Sequence, residues 1–381
     1  MKIAYVGRFD LGLLAREFTF DHEFPDVNWS FGLGGEFVSG LVKRGHTVHA
    51  MVDALVDSVE RYNSKCGKLS VWLVPCRRRS RWSFLTMFSK EVRGLRNVIN
   101  LVKPDVVFAQ WTYHNAYAGI LSGYPTLVVA HDSPWRVALT YRTVASFIKA
   151  FYAQLFVFPR LKFVTAVSPH IVEDLRRLNG FKGTIQVIPN GMRIGWRANE
   201  EVKCDKDIRR NAKTIVCVSQ IGRLKNTKAL AKAFEMLHVK HADWRLKMYG
   251  QGLPDGMVTH EDLDRVLKDE ADVFCSPSLE ESFGMVFVEA MLQGVPCVGG
   301  EKSGAVPWVM GDGGVTCDVM DPHKIADCIE RVMLDFDMRK RMSANGIKRV
   351  IENFNIEHVV DLYEKALERV LEDSKVLVSN S

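Results

Sequence analysis

Long hydrophobic runs are missing from this sequence of 381 residues. The longest apolar stretches, such as Phe151 to Phe158, fall far short of the ~20 residues that a membrane-spanning helix needs. Met1 to Gly7 is also too short an apolar run for a signal peptide, so we interpret it as a first buried β-strand. We therefore expect a cytoplasmic protein, and we leave open a peripheral contact with the inner face of the membrane.

Paired cysteines are missing as well. The eight cysteines occur singly, and no C-x-x-C pair has the spacing of a zinc site. Buried free thiols in a reducing compartment explain this pattern, and a metal or redox site is the weaker alternative.

The glycine fingerprint of dinucleotide-binding proteins is absent after the first strand. That strand leads into Gly7-Arg8-Phe9 rather than G-x-G-x-x-G, and no acidic residue ends the second strand in the expected manner. Both absences argue against an NAD-dependent oxidoreductase.

The sequence does have the composition of a globular α/β protein, with 47% hydrophobic and 25% charged residues. Short β-branched apolar runs alternate with longer helical segments, which is typical of parallel strands covered by helices on both faces. The predicted strands are Lys2–Val6, Thr47–Val52, Ser70–Val74, Val106–Ala109, Thr126–Ala130, Phe163–Val167, Thr214–Ser219, Arg245–Tyr249, Val273–Ser276 and Pro296–Gly299. The predicted fold is α/β, with two Rossmann-like, doubly wound parallel-sheet domains that face a cleft.

The domain boundary is predicted near Asn190 and Gly191, which end a strand and precede polar sequence as far as Lys213. We therefore assign residues 1–190 to an N-terminal domain and residues 191–355 to a C-terminal domain. Residues 356–381 form a terminal amphipathic helix and a loose tail. Ligands of doubly wound sheets bind beyond the carboxyl ends of the strands, so we expect the chemistry on the loops that follow them.

Positive charge is concentrated between Arg77 and Lys103, where eight basic residues accompany one acidic residue, Glu91. A solvated helix face is one interpretation. The other is that Arg77–Phe88, which also contains aromatic residues, contacts an anionic membrane or an acidic acceptor. No nucleic-acid motif accompanies the charge, so we do not expect a nucleic-acid partner.

Two candidate phosphate sites precede predicted helices. Glycines at Gly32, Gly34 and Gly35 let backbone N–H groups approach a phosphate, although such glycines also occur for packing reasons. Arg223 and Lys228 lie five residues apart on a loop after a strand, where two cations can neutralise a departing diphosphate. A solvated basic loop is the alternative.

A third constellation follows the strand V-F-C-S. Glu281 is predicted on a loop and Glu289 one to two turns into a helix that begins near Gly284, with the N–H groups of Phe283, Gly284 and Met285 at its N-terminus. Carboxylates in these positions can hold sugar hydroxyls and a ribose diol. The alternative for either glutamate alone is a helix-capping acid that interacts with the helix dipole. His131 ends another strand, where it could touch a sugar or be a structural histidine.

Together these motifs resemble the retaining GT-B glycosyltransferases of family 4, over nearly the whole chain. The matching segments, in the family's order, are Gly34-Gly35-Glu36, V-I-P-N-G at 187–191, G-R-L-x-x-x-K at 222–228, G-x-G at 250–252 and E-x7-E at 281–289. The resemblance implies retention and a hexosyltransferase-type reaction with a UDP- or GDP-sugar donor. The basic, aromatic stretch is the basis for expecting a glycan or lipid-linked acceptor. The resemblance implies no metal and no other cofactor, in agreement with the lack of a D-x-D-like acidic pair in a credible site.

The resemblance also implies roles for individual residues. Arg223 and Lys228 would bind the donor phosphates, Glu289 the ribose and Glu281 the donor sugar, and His131 would touch a sugar hydroxyl. The implied catalytic residues are His131, Arg223, Lys228 and Glu281, and the implied donor-binding residues are Gly35, Gly250, Ser282, Phe283, Gly284, Met285 and Glu289. The terminal helix is expected to cross back to the N-terminal domain.

One segment departs from the family pattern. Between Gly252 and Ala271 the chain is too short for the family's usual helix and strand, so the wall that contacts the nucleotide base is reduced. Two alternatives to a transferase remain open. One is a sugar-nucleotide epimerase on the same scaffold, and the other is a catalytically silent nucleotide-sugar-binding subunit.

Overall fold

The computed structural model describes residues 1–25, 31–77, 86–195, 208–219, 222–257 and 260–379. The chain divides into two compact units, each with its own sheet. Unit 1 comprises Met1–Gly191 and Glu357–Ser381, and unit 2 comprises Met192–Ile356. The predicted α/β class with two parallel sheets is confirmed.

Unit 1 is built on an eight-stranded sheet with the order β3-β4-β2-β1-β5-β6-β7-β8. Its strands are β1 (Lys2–Val6), β2 (Thr47–Ala54), β3 (Glu60–Asn63), β4 (Leu69–Pro75), β5 (Val106–Gln110), β6 (Thr126–Ala130), β7 (Phe163–Ala166) and β8 (Ile185–Val187). All neighbours pair in parallel except β3, which is antiparallel to β4. In the centre of the sheet, Ile3 pairs with Val48 on one side and Val106 on the other.

Helices cover this sheet and begin close to the strand ends. They are α1 (Leu11–Glu17), α2 (Gly32–Lys43), α3 (Ser89–Val102), α4 (His114–Ser122), α5 (Pro134–Tyr141), α6 (Val144–Tyr152), α7 (Pro169–Arg177) and, at the end of the described chain, α14 (Ile356–Ser379). A π-helical turn (Ala153–Val157) and a 3-10 turn (Phe158–Arg160) follow α6. The side chains of Asp10, Ser133 and Ser168 each cap a helix directly after a strand, which keeps the loops at the carboxyl edge short.

Helix α14 packs on α2 and the sheet of unit 1. Tyr363 is buried between the rings of Phe37 and Phe108, with centroid distances of 4.9 Å and 5.1 Å. The Arg44 guanidinium donates to Asp361 at 2.6 Å, and a Cβ at Gly40 would lie only 2.9 Å from Val360. Aromatic burial and a charge-assisted hydrogen bond together hold this helix in unit 1.

Unit 2 has a five-stranded parallel sheet with the order β10-β9-β11-β12-β13. Its strands are β9 (Thr214–Val218), β10 (Arg245–Tyr249), β11 (Val273–Ser276), β12 (Cys297–Gly300) and β13 (Gly314–Cys317). Its helices are α8 (Thr227–Lys240), α9 (His260–Arg265), α10 (Met285–Leu292), α11 (Val306–Met310), α12 (Pro322–Leu334) and α13 (Phe336–Asn353). Leu230, Val273 and Ile329 lie in its core.

The shortened segment before β11 contains α9 and a π-helical turn, Val266–Glu270. Strands β3 and β13 were not predicted, because each is a four-residue edge strand with few apolar residues. The seven described cysteines are free, and Cys66 is exposed rather than buried as expected. No helix in the described ranges is long and apolar enough to cross a bilayer.

Candidate active site

The candidate donor residues of unit 2 lie at the carboxyl edge of its sheet. β9 is hydrogen-bonded to β10 and β11, and β11 to β12, so the loops after these strands are neighbours. The loop after β9 is joined to the loop after β11 by a hydrogen bond from the Leu279 amide to the Leu224 carbonyl, at 2.7 Å. Asn226 fastens the same loop to Val319 through its side-chain amide, at 2.7 Å. The edge is therefore a defined surface rather than a set of independent loops.

Glu281 forms an ion pair that the sequence did not predict. Its Oε1 lies 2.5 Å from Nζ of Lys225, and both side chains are half-buried. The Glu281 carbonyl also accepts a hydrogen bond from the Ala305 amide at 2.9 Å, which fixes the backbone of its loop. Lys225 therefore orients the carboxylate that the resemblance assigns to the donor sugar. Its position inside the Arg223–Lys228 loop was the only signal in the sequence.

Arg223 and Lys228 are exposed. Arg223 lies in the turn after β9, and Lys228 is the second residue of α8. Neither makes an ion pair with another residue within the described ranges. Both cations are therefore available to an anion at this edge.

Helix α10 begins as predicted from the sequence. Gly284 precedes it with φ of 94°, a left-handed conformation that favours glycine. Phe283 is buried, with edge-to-face contacts to the rings of Trp308 at 6.1 Å and Phe354 at 5.4 Å. Glu281 and Ser282 lie on the loop before the helix, and Glu289 lies half-buried in its second turn. The packing of Phe283 fixes the position of the helix N-terminus, which carries the unpaired N–H groups that attract anions.

Gly250 follows β10 and is required there by a close approach of two chain segments. A Cβ at this position would lie 1.5 Å from the Ser219 carbonyl oxygen, and φ is 139°. The Gly250 amide donates to the Gly256 carbonyl at 2.7 Å. This close approach explains why a glycine is needed at position 250. The contact of Gly250 with the donor stays a prediction.

The glycine pair of α2, in unit 1, also has a packing explanation. A Cβ at Gly34 would lie 2.3 Å from the Arg8 carbonyl oxygen, and one at Gly35 would lie 3.3 Å from Asp10. The amides of both glycines donate to the Phe31 carbonyl, at 3.0 Å and 3.3 Å. The alternative weighed from the sequence, glycines retained for close packing, therefore accounts for both positions without a ligand. The phosphate contact of Gly35 stays a prediction.

His131 directly follows β6 and is buried. Its Nε2 lies 2.8 Å from Oε1 of Gln110, the last residue of β5, and its ring packs against Phe31 and Trp111. Burial lowers the pKa of His131 to about 3, so the ring is neutral near pH 7. Nε2 of His131 is thus occupied by the Gln110 side-chain amide, and which of the two groups donates depends on the tautomer of the ring. A neutral imidazole of this kind can bind a hydroxyl group.

Asp132 is the next residue and has an unusual protonation equilibrium. Burial raises the pKa of its carboxyl group to about 6, although Tyr113 and Lys149 act in the opposite direction. The Tyr113 hydroxyl donates to Asp132 at 2.9 Å. Lys149, on α6, lies over the Tyr113 ring at 5.8 Å.

Asp53 and His114 form a second polar pair at this edge, with Nε2 and Oδ1 3.2 Å apart. Burial opposes ionisation of Asp53, but the charge and hydrogen bond of His114 outweigh it and lower the pKa of Asp53. Asp53 is the penultimate residue of β2, so the prediction that no acidic residue ends this strand is wrong. Gly7-Arg8-Phe9, in place of G-x-G-x-x-G, still distinguishes this chain from a dinucleotide-binding enzyme.

The basic segment Arg77–Phe88 lies largely outside the described residues, which omit 78–85. Its two ends are described. Arg77 pairs with the buried carboxylate of Glu91 at 3.2 Å, and Phe88 is buried against His114, with parallel rings 5.0 Å apart. Phe88 therefore belongs to the interior of unit 1 and is not available to a membrane.

Two family models match the chain. The model described as Glycosyltransferase Family 4 matches residues 35–195, and the model described as Glycosyl transferases group 1 matches residues 255–349. Together they cover more than half of the chain, including His131, Glu281 and Glu289. The chain belongs to the family 4 glycosyltransferases.

Curated relatives of this family 4 chain match over part of their length. An N-acetyl-alpha-D-glucosaminyl L-malate synthase from Bacillus anthracis is 28% identical over 233 residues, which are 56% of this chain and 61% of that protein. A D-inositol 3-phosphate glycosyltransferase from Corynebacterium kroppenstedtii is 29% identical over 203 residues, 45% of each chain. The chain thus spans about half the length of the curated relatives that it matches.

A solved structure superposes on nearly the whole of this chain. A sucrose-phosphate synthase from Thermosynechococcus elongatus superposes with a TM-score of 0.73 at 18% identity, over 98% of this chain and 100% of that one. This likeness shows the fold, which is GT-B.

Proposed function

We propose that this protein transfers a hexose from a UDP- or GDP-sugar to an acceptor with retention of configuration and without a metal ion. One observation carries the proposal. At the carboxyl edge of the unit 2 sheet, the exposed cations Arg223, in the turn after β9, and Lys228, at the start of α8, lie on either side of Lys225 in the chain, and Lys225 holds the carboxylate of Glu281 at 2.5 Å. Two cations suit a diphosphate, and a fixed carboxylate suits sugar hydroxyls.

The residues divide the reaction between them. The bond that breaks joins the anomeric carbon to the diphosphate, and negative charge develops on the leaving oxygen. Arg223 and Lys228 stabilise that charge, so no metal is needed for it. Glu281 orients the sugar, and Glu289 holds the ribose. In a front-face displacement the leaving phosphate oxygen takes the acceptor proton, and the acceptor attacks the face from which the diphosphate departs.

We propose a glycan or lipid-linked acceptor. The names of the two curated relatives contain L-malate and D-inositol 3-phosphate, which makes a small anionic molecule the second candidate. An epimerase would change the configuration of the sugar without transferring it to an acceptor. A silent subunit would bind the donor without turnover. Nucleotide release separates the transferase from the other two, and analysis of the recovered donor sugar separates the epimerase, which changes its configuration, from the silent subunit.

The assay is nucleotide release from a panel of UDP-, GDP- and ADP-sugars in EDTA. We expect release with one donor, and a loss of about 10²–10³ in kcat for Lys228→Ala because one donor to the developing charge is removed. Lys232→Ala is the matched control, since Lys232 is exposed one turn further along α8. Equal rates for Lys228→Ala and wild type contradict the phosphate role, and dependence on a divalent ion contradicts the metal-free reaction. Donor binding without release indicates a missing acceptor or a silent subunit, and addition of candidate acceptors separates the two.

A further inference from the structure

Residues 86–172 of unit 1 carry an excess of positive charge. This segment contains nine Lys and Arg residues and three Asp and Glu residues, an excess equal to the net charge of +6 of the whole chain. The remaining residues together are therefore neutral. Residues 133–172 contain no acidic residue at all.

Large apolar side chains are exposed in the same acid-free stretch. Five of the fourteen exposed large hydrophobic residues in the described ranges fall between 139 and 155, and their exposed fractions run from 50% to 78%. They are Leu139, Tyr141, Val144, Phe151 and Leu155. We call these five residues the α5–α6 surface. Scattered exposed apolar residues are ordinary in globular proteins, but a cluster of this kind marks an interaction site.

The two helices that carry this surface are locked together. Trp135 of α5 packs edge-to-face on Phe151 of α6 at 5.0 Å, and its indole N–H donates to Gln154 at 3.2 Å. Leu139 lies one turn after Trp135, and Val144, Phe151 and Leu155 repeat at helical spacing along one face of α6 and its π-helical continuation. The exposed side chains therefore lie on two helices that are fixed to each other.

Cations flank the α5–α6 surface. Arg142 is exposed between the two helices, and Arg160 and Lys162 are exposed after the π-helical turn. The guanidinium of Arg160 donates to the Leu155 and Phe156 carbonyls, at 3.3 Å and 3.1 Å, which keeps its charge beside Leu155. Arg136 does not contribute, because it pairs with the buried carboxylate of Asp174 at 2.6 Å.

We propose that the α5–α6 surface docks this protein on a bilayer that contains anionic phospholipid. Aromatic and aliphatic side chains enter the boundary between headgroups and acyl chains, while flanking Arg and Lys residues contact lipid phosphates. A second copy of this chain is the weaker occupant, because a two-fold contact would bring like charges together at the same patch. This surface differs from Arg77–Phe88, and the inference does not depend on the proposed sugar transfer.

The test is sedimentation of the full chain with vesicles of phosphatidylcholine alone and of phosphatidylcholine mixed in equal parts with phosphatidylglycerol. We expect binding to the mixed vesicles only, weakened by salt. The Val144→Asp/Leu155→Asp double variant is expected to reduce it at least about tenfold by opposing insertion and adding negative charge. Arg142→Gln and Lys162→Gln are each expected to reduce it about fivefold. The matched control is Val239→Asp/Leu334→Asp, which places the same charges at exposed positions of unit 2.

Three results would overturn the inference. They are equal binding to both kinds of vesicle, no binding to either, and equal reduction by the unit 1 and unit 2 double variants. Gel filtration addresses the other occupant: a dimer that Val144→Asp dissociates, with vesicle binding unchanged, would assign the surface to a second copy. Circular dichroism and nucleotide release are measured on every variant, so a folding defect or a failed transferase assay is separated from a failed docking surface.

Discussion

The two carboxyl sheet edges of this chain differ in their chemistry. In unit 2 the edge is exposed and cationic, with Arg223 and Lys228 open to solvent and Lys225 paired with Glu281. In unit 1 the edge is buried and aromatic, and burial keeps His131 neutral and raises the pKa of Asp132 to about 6. The same architecture therefore provides an exposed cationic edge in unit 2 and a buried edge with a neutral histidine in unit 1.

The difference between the two edges follows from the side chains that their loops carry and from how far those side chains are buried. The loop after β9 is rich in Lys and Arg, which keep their charges in water. The loops after β5 and β6 bring Trp111, Tyr113 and His131 together, so the polar groups among them lose water and shift toward their neutral forms. The predictions below test whether each edge depends on these properties.

The largest effect is expected for Glu281→Gln. This change keeps the shape of the side chain but removes the charge that pairs with Lys225 and accepts from sugar hydroxyls, so we expect kcat/KM to fall about 10²–10³. Steady-state nucleotide release measures it, with Glu280→Gln, the adjacent carboxylate, as control. Equal losses in the two variants would show a general effect of charge on this loop. They would contradict a specific role for Glu281.

The unit 1 edge predicts opposite pH effects at two adjacent residues. His131 has a pKa lowered from 6.5 to about 3, so the unfolded state binds the proton more tightly and wild type loses stability as pH falls below about 6.5. Asp132 has a pKa raised from 3.8 to about 6. The native state therefore binds its proton more tightly, and wild type loses stability as pH rises from about 3.8 to 6.

Urea unfolding of two variants measures these contributions. Relative to wild type, His131→Gln should gain about 3 kcal/mol in free energy of unfolding between about pH 7.5 and 4.5, because its buried ring no longer has to be protonated on unfolding. Asp132→Asn should lose about 2 kcal/mol over the same interval. Parallel pH profiles for wild type and both variants would show that burial does not shift the pKa values of His131 and Asp132.

The smallest effect is expected for Lys225→Gln. Lys225 positions Glu281 rather than acting on the substrate, so we expect KM for the donor to rise about tenfold with a smaller change in kcat. Lys225→Arg should restore much of the loss. In the Glu281→Gln background the same change should have little further effect, since the pair is already broken. Additive losses would instead assign Lys225 a direct contact with the donor.

Local patterns allowed most of the fold and part of the site to be predicted. Apart from β3 and β13, the strands of both sheets are confirmed, as are the start of α10 after Gly284 and the loop position of Glu281, because each depends on short-range periodicity or on turn residues. The Lys225–Glu281 and Asp53–His114 pairs were missed. They join residues 56 and 61 positions apart, so only the arrangement of strands brings them together. The same holds for the protonation equilibria of His131 and Asp132, which are set by burial.

Helix α14 has a consequence for how the chain is made. Unit 1 consists of two segments, Met1–Gly191 and Glu357–Ser381, whereas unit 2 is one uninterrupted stretch between them. On the ribosome, Phe37 and Phe108 therefore emerge long before Tyr363, the ring that covers them. Unit 2 can complete its own core while unit 1 still exposes an uncovered aromatic groove. The half of the protein that is synthesised first is thus the half that finishes folding last.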